Sequence, residues 1–298
     1  MKKLKYILIV LLILGFLFLH FLAPLFIIKP YNLIFGTIKP DPDQMIKLPE
    51  NAREFSIISS TIKLKAILFK TEEDEPLGTI ILLHGIHCSK FTLLSLKDVL
   101  LTKGYNAVLM DIRGHNDVKD QYLTYGFYEK RDISVLIDTL YANGLKHNLG
   151  VWGQSLGASI GIQAMAYDKR ITFGIIESAF SDFPKIVHAY TKRIVGFDIP
   201  FLTDYIIYRA GKMAKFNPMD VRPFMMAKNI TQPIIAVHGK QDIHIAYKNA
   251  LVNFDAITSS KKRIFLLDSA DHTNVWRIGG DKYFSAVFQF IKCATQNN

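Results

Sequence analysis

Cysteine is almost absent from this chain: two in 298 residues, Cys88 and Cys293, neither in a Cys-x-x-Cys pair. That excludes a disulfide scaffold and a thiolate zinc site, and leaves pairing of the two open. No His-Glu-x-x-His helix is present, so the nine histidines do not read as a metal site and no cofactor is expected. Acidic residues are scarce beside basic ones, 26 against 36, giving a net charge of +10. The basic excess is scattered and carries no nucleic-acid motif, so nucleic acid is not an expected partner. Its modest implication is attraction to an anionic membrane surface; the plainer reading is a solvated face. Internal repeats and low-complexity segments are also missing, which excludes a solenoid or a disordered array.

One long hydrophobic run is present. Lys2, Lys3 and Lys5 precede 23 residues, Tyr6 to Ile28, whose only ionisable side chains are Tyr6 and His20. About 20 apolar residues cross a bilayer as a helix. A cleaved signal has a shorter core, of roughly 7–15 residues, and a small-x-small cleavage site. No Ala-x-Ala site follows, so 1–28 reads as an uncleaved single-pass anchor held by membrane lipid. Lys29, Lys39 and Lys47 after the run are thinly spread and mixed with Asp41 and Asp43. The positive-inside tendency therefore places the rest of the chain outside the cytoplasm, at the cell membrane.

Pro30, Pro40, Pro42 and Pro49 mark 29–54 as an extended tether. Phe55 to Lys70 has β-type content around Ser59-Ser60 and predicts an antiparallel hairpin at a sheet edge. From Gly78 onward, short apolar runs alternate with amphipathic stretches. Strands are expected at Thr79–Leu83, Ala107–Met110, Leu149–Trp152, Phe173–Ile176, Pro233–Val237 and Ile264–Leu267, and helices at Leu93–Leu101 and Ile133–Tyr141. This pattern argues an α/β domain over 55–298, with a mostly parallel sheet covered by helices on both faces. Between Phe180 and Pro223 the rhythm fails. A long insertion in a compact domain is usually functional, and 180–222 reads as a small helical cap. It mixes apolar side chains with Lys185, Lys192, Arg193, Arg209, Lys212 and Lys215.

Gly153-Gln154-Ser155-Leu156-Gly157 sits where a strand should end and a helix begin. Glycines on either side of such a turn remove side chains that would crowd it and lift the serine hydroxyl clear. The bland alternative is a tight turn that packs helix on strand. Ligands bind at strand ends in parallel sheets, and the other polar residues at strand ends are His84-Gly85-Ile86-His87, Asp111-Ile112-Arg113-Gly114-His115, His238-Gly239-Lys240-Gln241-Asp242 and Asp268-Ser269-Ala270-Asp271-His272.

Together, in this order, these motifs resemble the α/β-hydrolase family over nearly everything after Phe55. The resemblance implies a nucleophile, Ser155, an acid, Asp242, and a base, His272. It also implies an oxyanion hole formed by the backbone N–H groups of Ile86 and Leu156. Asp182, Asp268 and Asp271 compete for the acid's role, and His84, His87, His115, His238 and His244 for the base's. His84 and His238 read as loop buttresses and His115 as part of a structural turn. Cys88, beside the oxyanion loop, reads as an inert small hydrophobe rather than a reactive thiol. The Thr124–Lys130 stretch resembles membrane-anchored or secreted bacterial members, in which such a turn opens a helix. Two positions depart from the family pattern. Asn116 stands where a second glycine is frequent, and Asp271 precedes the histidine, where a carboxylate is placed to favour the charged imidazole.

The implied activity is a serine hydrolase acting on a small-molecule acyl ester, thioester or amide through an acyl-serine. One alternative is a peptidase on the same scaffold, with Glu177 as the acidic anchor for a substrate amine. Another is a membrane-tethered binding protein that kept the fold without the chemistry. Nothing in the sequence fixes an oligomeric state.

Overall fold

The computed structural model of the chain describes residues 2–30, 48–145 and 147–295. Most of the 29–54 tether lies outside the described residues. The first helix, α1 (Lys2–Ile28), is long and apolar enough to cross a membrane. It widens to a π-helical turn at Phe18–Leu22, and its residues are exposed up to Phe18, with Leu19 and His20 half-buried and Ala23 and Pro24 buried.

Eight strands form one sheet in the order β1-β2-β4-β3-β5-β6-β7-β8. They are β1 (Ala52–Ser59), β2 (Ile62–Phe69), β3 (Gly78–Leu83), β4 (Tyr105–Met110), β5 (Leu149–Gln154), β6 (Phe173–Glu177), β7 (Ile234–Gly239) and β8 (Lys262–Leu267). β1 and β2 form the expected edge hairpin, antiparallel to each other and to β4. The remaining pairings are parallel. β1 starts three residues before the expected boundary, because Ala52, Arg53 and Glu54 pair with Phe69, Leu68 and Ile67. Arg53 and Glu54 face solvent and give no apolar alternation to read.

Strand residues alternate between two cores. Ile81 and Leu83 of β3 join one cluster, Ile80 and Leu82 the other. On the second face lie α2 (Leu94–Thr102) and the C-terminal helix α9 (Val275–Thr295), which kinks at Gly280. The first face carries α3 (Glu129–Ala142), α4 (Leu156–Tyr167), a short α7 (Pro223–Ala227) and α8 (Lys248–Ala256). α4 is buried on every side from Leu156 to Ala166. A helix apolar all round belongs in a core, and this burial fixes the serine at its start.

Residues 180–222 hold two helices and a short turn. α5 (Phe183–Val195) and α6 (Pro200–Ala214) form a helical hairpin, followed by a 3-10 turn at Pro218–Asp220. Asp182 starts α5 by accepting the Lys185 N–H at 3.1 Å, and Gly196 ends it in the left-handed region, at φ 90°.

Candidate active site

The β5–α4 turn places Ser155 at φ 53°, ψ −112°, a conformation that non-glycine residues rarely adopt. Such a residue costs about 1–3 kcal/mol and persists only where its surroundings over-determine it. Here the surroundings are the two flanking glycines. A Cβ on Gly153 would meet the Gly157 carbonyl oxygen at 2.3 Å, and one on Gly157 would meet the Leu83 carbonyl oxygen at 2.1 Å. Only glycine lets α4 start this close to the end of β3.

Ser155 Oγ lies 2.9 Å from His272 Nε2, and His272 Nδ1 lies 2.6 Å from Asp242 Oδ2. With Nδ1–H donating to the carboxylate, Nε2 is left to accept the serine proton. Asp242 is deeply buried and accepts from four donors. Oδ1 takes the His244 and Ile245 N–H groups, both at 2.8 Å, and Oδ2 takes His238 Nε2 at 3.0 Å beside His272. Burial alone would raise this carboxyl; the hydrogen bonds from His238 and His272 overcome that and hold it well below the ordinary range.

The structure therefore brings Ser155, Asp242 and His272 together and gives the rival acids other tasks. Asp182 caps α5 and lies 3.5 Å from Arg222 Nε. Asp268 pairs with Lys240 in solvent. Asp271 receives the Thr273 and Asn274 N–H groups and Asn274 Nδ2, so it holds the loop that carries His272. His84 buttresses the β3 loop, accepting the Ile112 N–H on Nε2 at 3.0 Å and donating to Gly85 O from Nδ1 at 2.8 Å. Burial holds both His84 and His115 below their ordinary range, His115 at about 3. His244 lies beside His272, ring centroids 5.3 Å apart, and takes a hydrogen bond from Arg193 of the cap. His238 does more than brace a loop, because it is a direct donor to Asp242. Sequence reading missed this role, although the spacing His238-Gly-x-x-Asp242 already held both residues.

The loop bearing Ile86 runs against the serine: a Cβ on Gly85 would lie 3.6 Å from Ser155 Cβ. Leu156 is the first residue of α4, where a backbone N–H has no partner inside the helix. Burial pushes the nearby Cys88 thiol up, keeping it in its unreactive form, and no disulfide joins it to Cys293. Asn116 takes a positive φ of 40° and so does what glycine would do there, while its Nδ2 binds Asp111 at 2.9 Å. Glu129 opens α3 by receiving the Thr124 and Gly126 N–H groups and the Thr124 hydroxyl. Among the described residues, no group of three or more His, Cys, Asp or Glu has the arrangement of a metal site.

Glu177 is not available to anchor a substrate amine. It is buried at the end of β6 and receives Trp152 Nε1 at 2.6 Å, Gln154 Nε2 at 2.8 Å, Trp276 Nε1 at 2.9 Å and the Tyr283 hydroxyl. Every acceptor position faces a donor from the protein itself. Burial pushes this carboxyl above its ordinary range, against those four hydrogen bonds.

A model of the prolyl oligopeptidase family matches residues 93–287, a span that includes Ser155, Asp242 and His272. The chain belongs to the prolyl oligopeptidase family. A Bacillus subtilis (strain 168) relative, the uncharacterized protein YqkD, is 23% identical over 225 residues, covering 72% of this chain and 71% of that one. Among solved structures, the Pyrococcus furiosus esterase Pf2001 is similar with a TM-score of 0.67 at 20% identity, over 82% of this chain and 93% of that one. Pyrococcus horikoshii acylaminoacyl peptidase is similar at 0.63 and 18%, over 83% of this chain and 42% of that one. Likenesses at this identity show the α/β-hydrolase fold. With membership of the prolyl oligopeptidase family, they make the chain a serine hydrolase.

Proposed function

We propose that the protein hydrolyses a carboxylic ester (or a thioester or amide) through an acyl-serine, with Ser155 as nucleophile, His272 as general base and Asp242 as its orienting acid. The observation that carries this reading is the hydrogen-bonded chain from Ser155 Oγ through His272 to a carboxylate held ionised. Ser155 Oγ attacks the acyl carbon, and its proton passes to His272 Nε2. The tetrahedral oxyanion is received by the Ile86 and Leu156 N–H groups. Loss of one such donor costs about 3–4 kcal/mol of transition-state stabilisation. As the bond to the leaving alcohol breaks, His272 returns the proton to that oxygen. Water then repeats the sequence on the acyl-serine, releasing the acid and restoring Ser155. Ester rather than peptide cleavage is favoured because Glu177, the acid named for an amine anchor, is fully engaged inside the core.

Short and medium acyl p-nitrophenyl esters test the proposal, together with a fluorophosphonate probe. The parent protein is expected to turn over the esters and to label, and Ser155→Ala to do neither. A parent that fails to label, or a mutant that still does, overturns it.

We also propose that α1 holds the protein in a membrane, with the catalytic domain outside the cytoplasm. The three lysines before the apolar stretch support that orientation. Protease added to intact cells is expected to digest the domain; digestion only in vesicles that expose their cytoplasmic face overturns the orientation.

A further inference from the structure

The turn between α5 and α6 presents apolar side chains to water: Ile194, Val195, Phe197, Ile199 and Phe201, with Phe197 59% and Phe201 72% exposed. A contiguous exposed patch of this kind marks a contact surface. The single acid within it, Asp198, points to its own cap. Its Oδ2 meets His188 Nδ1 at 2.8 Å, and its Oδ1 accepts the Thr203 hydroxyl at 2.6 Å. Asp204, near the start of α6, meets His188 Nε2 at 3.1 Å. Both carboxylates at this end are engaged by His188, Asp198 with its side chain 18% exposed and Asp204 with its side chain 55% exposed.

What covers that face is set by α1. His20 Nδ1 lies 2.7 Å from the Tyr205 hydroxyl, and Arg209 Nε donates to the His20 carbonyl at 3.3 Å. At their other ends α1 and α6 converge on one loop. The Ile28 carbonyl accepts the Leu123 N–H, the Ile27 carbonyl accepts the Tyr125 hydroxyl, and the Lys215 carbonyl, just past α6, accepts the Tyr128 hydroxyl. The two helices thus run side by side in the same direction. With a rise of about 1.5 Å per residue, Phe201 stands level with Phe16 of α1, four residues back from each partner in the His20–Tyr205 contact. Phe16 and Phe18 are both about half exposed there. A bilayer that takes up α1 reaches the cap turn as well.

Along α6, Phe201 comes first, then Asp204, held by His188, then Tyr205 and Tyr208, then Arg209, Lys212 and Lys215. Hydrocarbon, interface and anionic headgroups select apolar, aromatic and basic residues in that sequence. The patch also reaches the proposed catalytic rim. Arg193, one residue before Ile194, is bonded to His244 beside His272. Ile243, next to Asp242 in the chain, is 78% exposed.

We infer that the α5–α6 turn is a second membrane contact. It dips into the leaflet beside α1 and sets the mouth of the Ser155 site at the lipid surface, so that a membrane-embedded acyl ester reaches the serine sideways from the leaflet. This rests on α1 spanning a membrane, as proposed above.

The full chain in lipid nanodiscs tests it, with Cys88 and Cys293 replaced by serine and an environment-sensitive fluorophore placed at Phe197→Cys, Leu12→Cys or Lys63→Cys. Lipids brominated on the acyl chains act as quenchers. The Phe197 label is expected to lose emission at least about half as strongly as the Leu12 label, and the Lys63 label to lose none. Quenching at Leu12 without quenching at Phe197 overturns the cap contact and leaves the anchor standing. Quenching at neither position overturns the anchor reading, and the cap contact with it. Cross-linking of Phe197→Cys between copies without quenching assigns the patch to a second copy and overturns the proposal. In a second arm, Phe197→Asp/Phe201→Asp is expected to lower hydrolysis of an ester embedded in the nanodisc by about fivefold or more, with p-nitrophenyl acetate hydrolysis unchanged. Equal rates on both substrates overturn it.

Discussion

Asp242 and Glu177 are both buried carboxylates at the ends of neighbouring strands, and each receives four hydrogen bonds, yet they are driven in opposite directions. Around Asp242 the donors are two imidazoles and two backbone N–H groups of its own turn. Burial is outweighed there, and the acid is held ionised. Around Glu177 the donors are neutral indoles, an amide and a phenol. Burial wins, and the carboxyl is pushed up. Four hydrogen bonds do not by themselves fix the charge of a buried acid: desolvation is the largest influence on both, it is stronger at the more deeply buried Glu177, and at Asp242 the facing imidazoles outweigh it. Asp242 faces a ring that must become an imidazolium during the proposed reaction. Glu177 fastens β5, β6 and α9 together beneath the site.

The sharpest way to break the comparison is Asp242→Asn. An amide turned towards His272 Nδ1 favours the wrong tautomer, and kcat on p-nitrophenyl acetate is expected to fall by about 10⁴, with the fold retained by circular dichroism. Glu177→Gln should do the reverse, placing an amide among donors and costing about 1–3 kcal/mol of stability in urea unfolding, with kcat within about tenfold. The two acids also differ in their pH signature. The folded value of Glu177 lies above the ordinary 4.5, so its contribution to stability is full below that pH and is lost as pH rises through the folded value. That of Asp242 lies below 3.8, so its contribution is present above that pH and is lost as pH falls through the folded value. Melting temperatures should therefore show a larger deficit for Glu177→Gln at pH 5 than at pH 7; a deficit independent of pH breaks the assignment.

Smaller effects test the imidazole side. His238→Leu removes one donor from a charged acceptor and is expected to lower kcat about tenfold. Restoration of activity by His238→Asn would show that a neutral amide serves equally well and would weaken the comparison. In the cap, His188 stands between Asp198 and Asp204. Partial burial lowers its proton affinity, but the hydrogen bonds to the two acids outweigh this and raise it. Its stabilisation is thus full below pH 6.5 and is lost as pH rises through the raised folded value. His188→Gln is expected to cost less than about 1 kcal/mol at pH 6 and less again at pH 8, read from thermal melts.

Much of this architecture was legible because its signals are local. Each buried strand is a short apolar run, the edge hairpin follows its β-type content, and the Ser155, Asp242 and His272 order survives in one dimension. The donors around Glu177 are not local. Trp152 and Gln154 come from β5 and Trp276 and Tyr283 from α9, and only the fold brings them together, which is why Glu177 read as an anchor for a substrate amine. The buried pair of Lys90 and Asp111, 2.5 Å apart, was hidden for the same reason. Asn116 read as a departure from a glycine pattern, because letters do not show that it adopts the backbone conformation of glycine. The composition of α1 announced an apolar helix but not which side of it would pack on α6.

That packing bears on how the protein can be handled. The last turn of α1 supplies two carbonyls to the Leu123–Tyr125 loop and seats Ile28, fully enclosed, in the main core. A chain shortened to begin after Ile28 loses more than an apolar helix. It exposes the flank of α6, unties a loop next to the helix that opens at Glu129, and takes away the partners of Tyr205 and Arg209. The full-length protein, rather than a trimmed domain, is the form in which α6 and the Leu123–Tyr125 loop keep this packing.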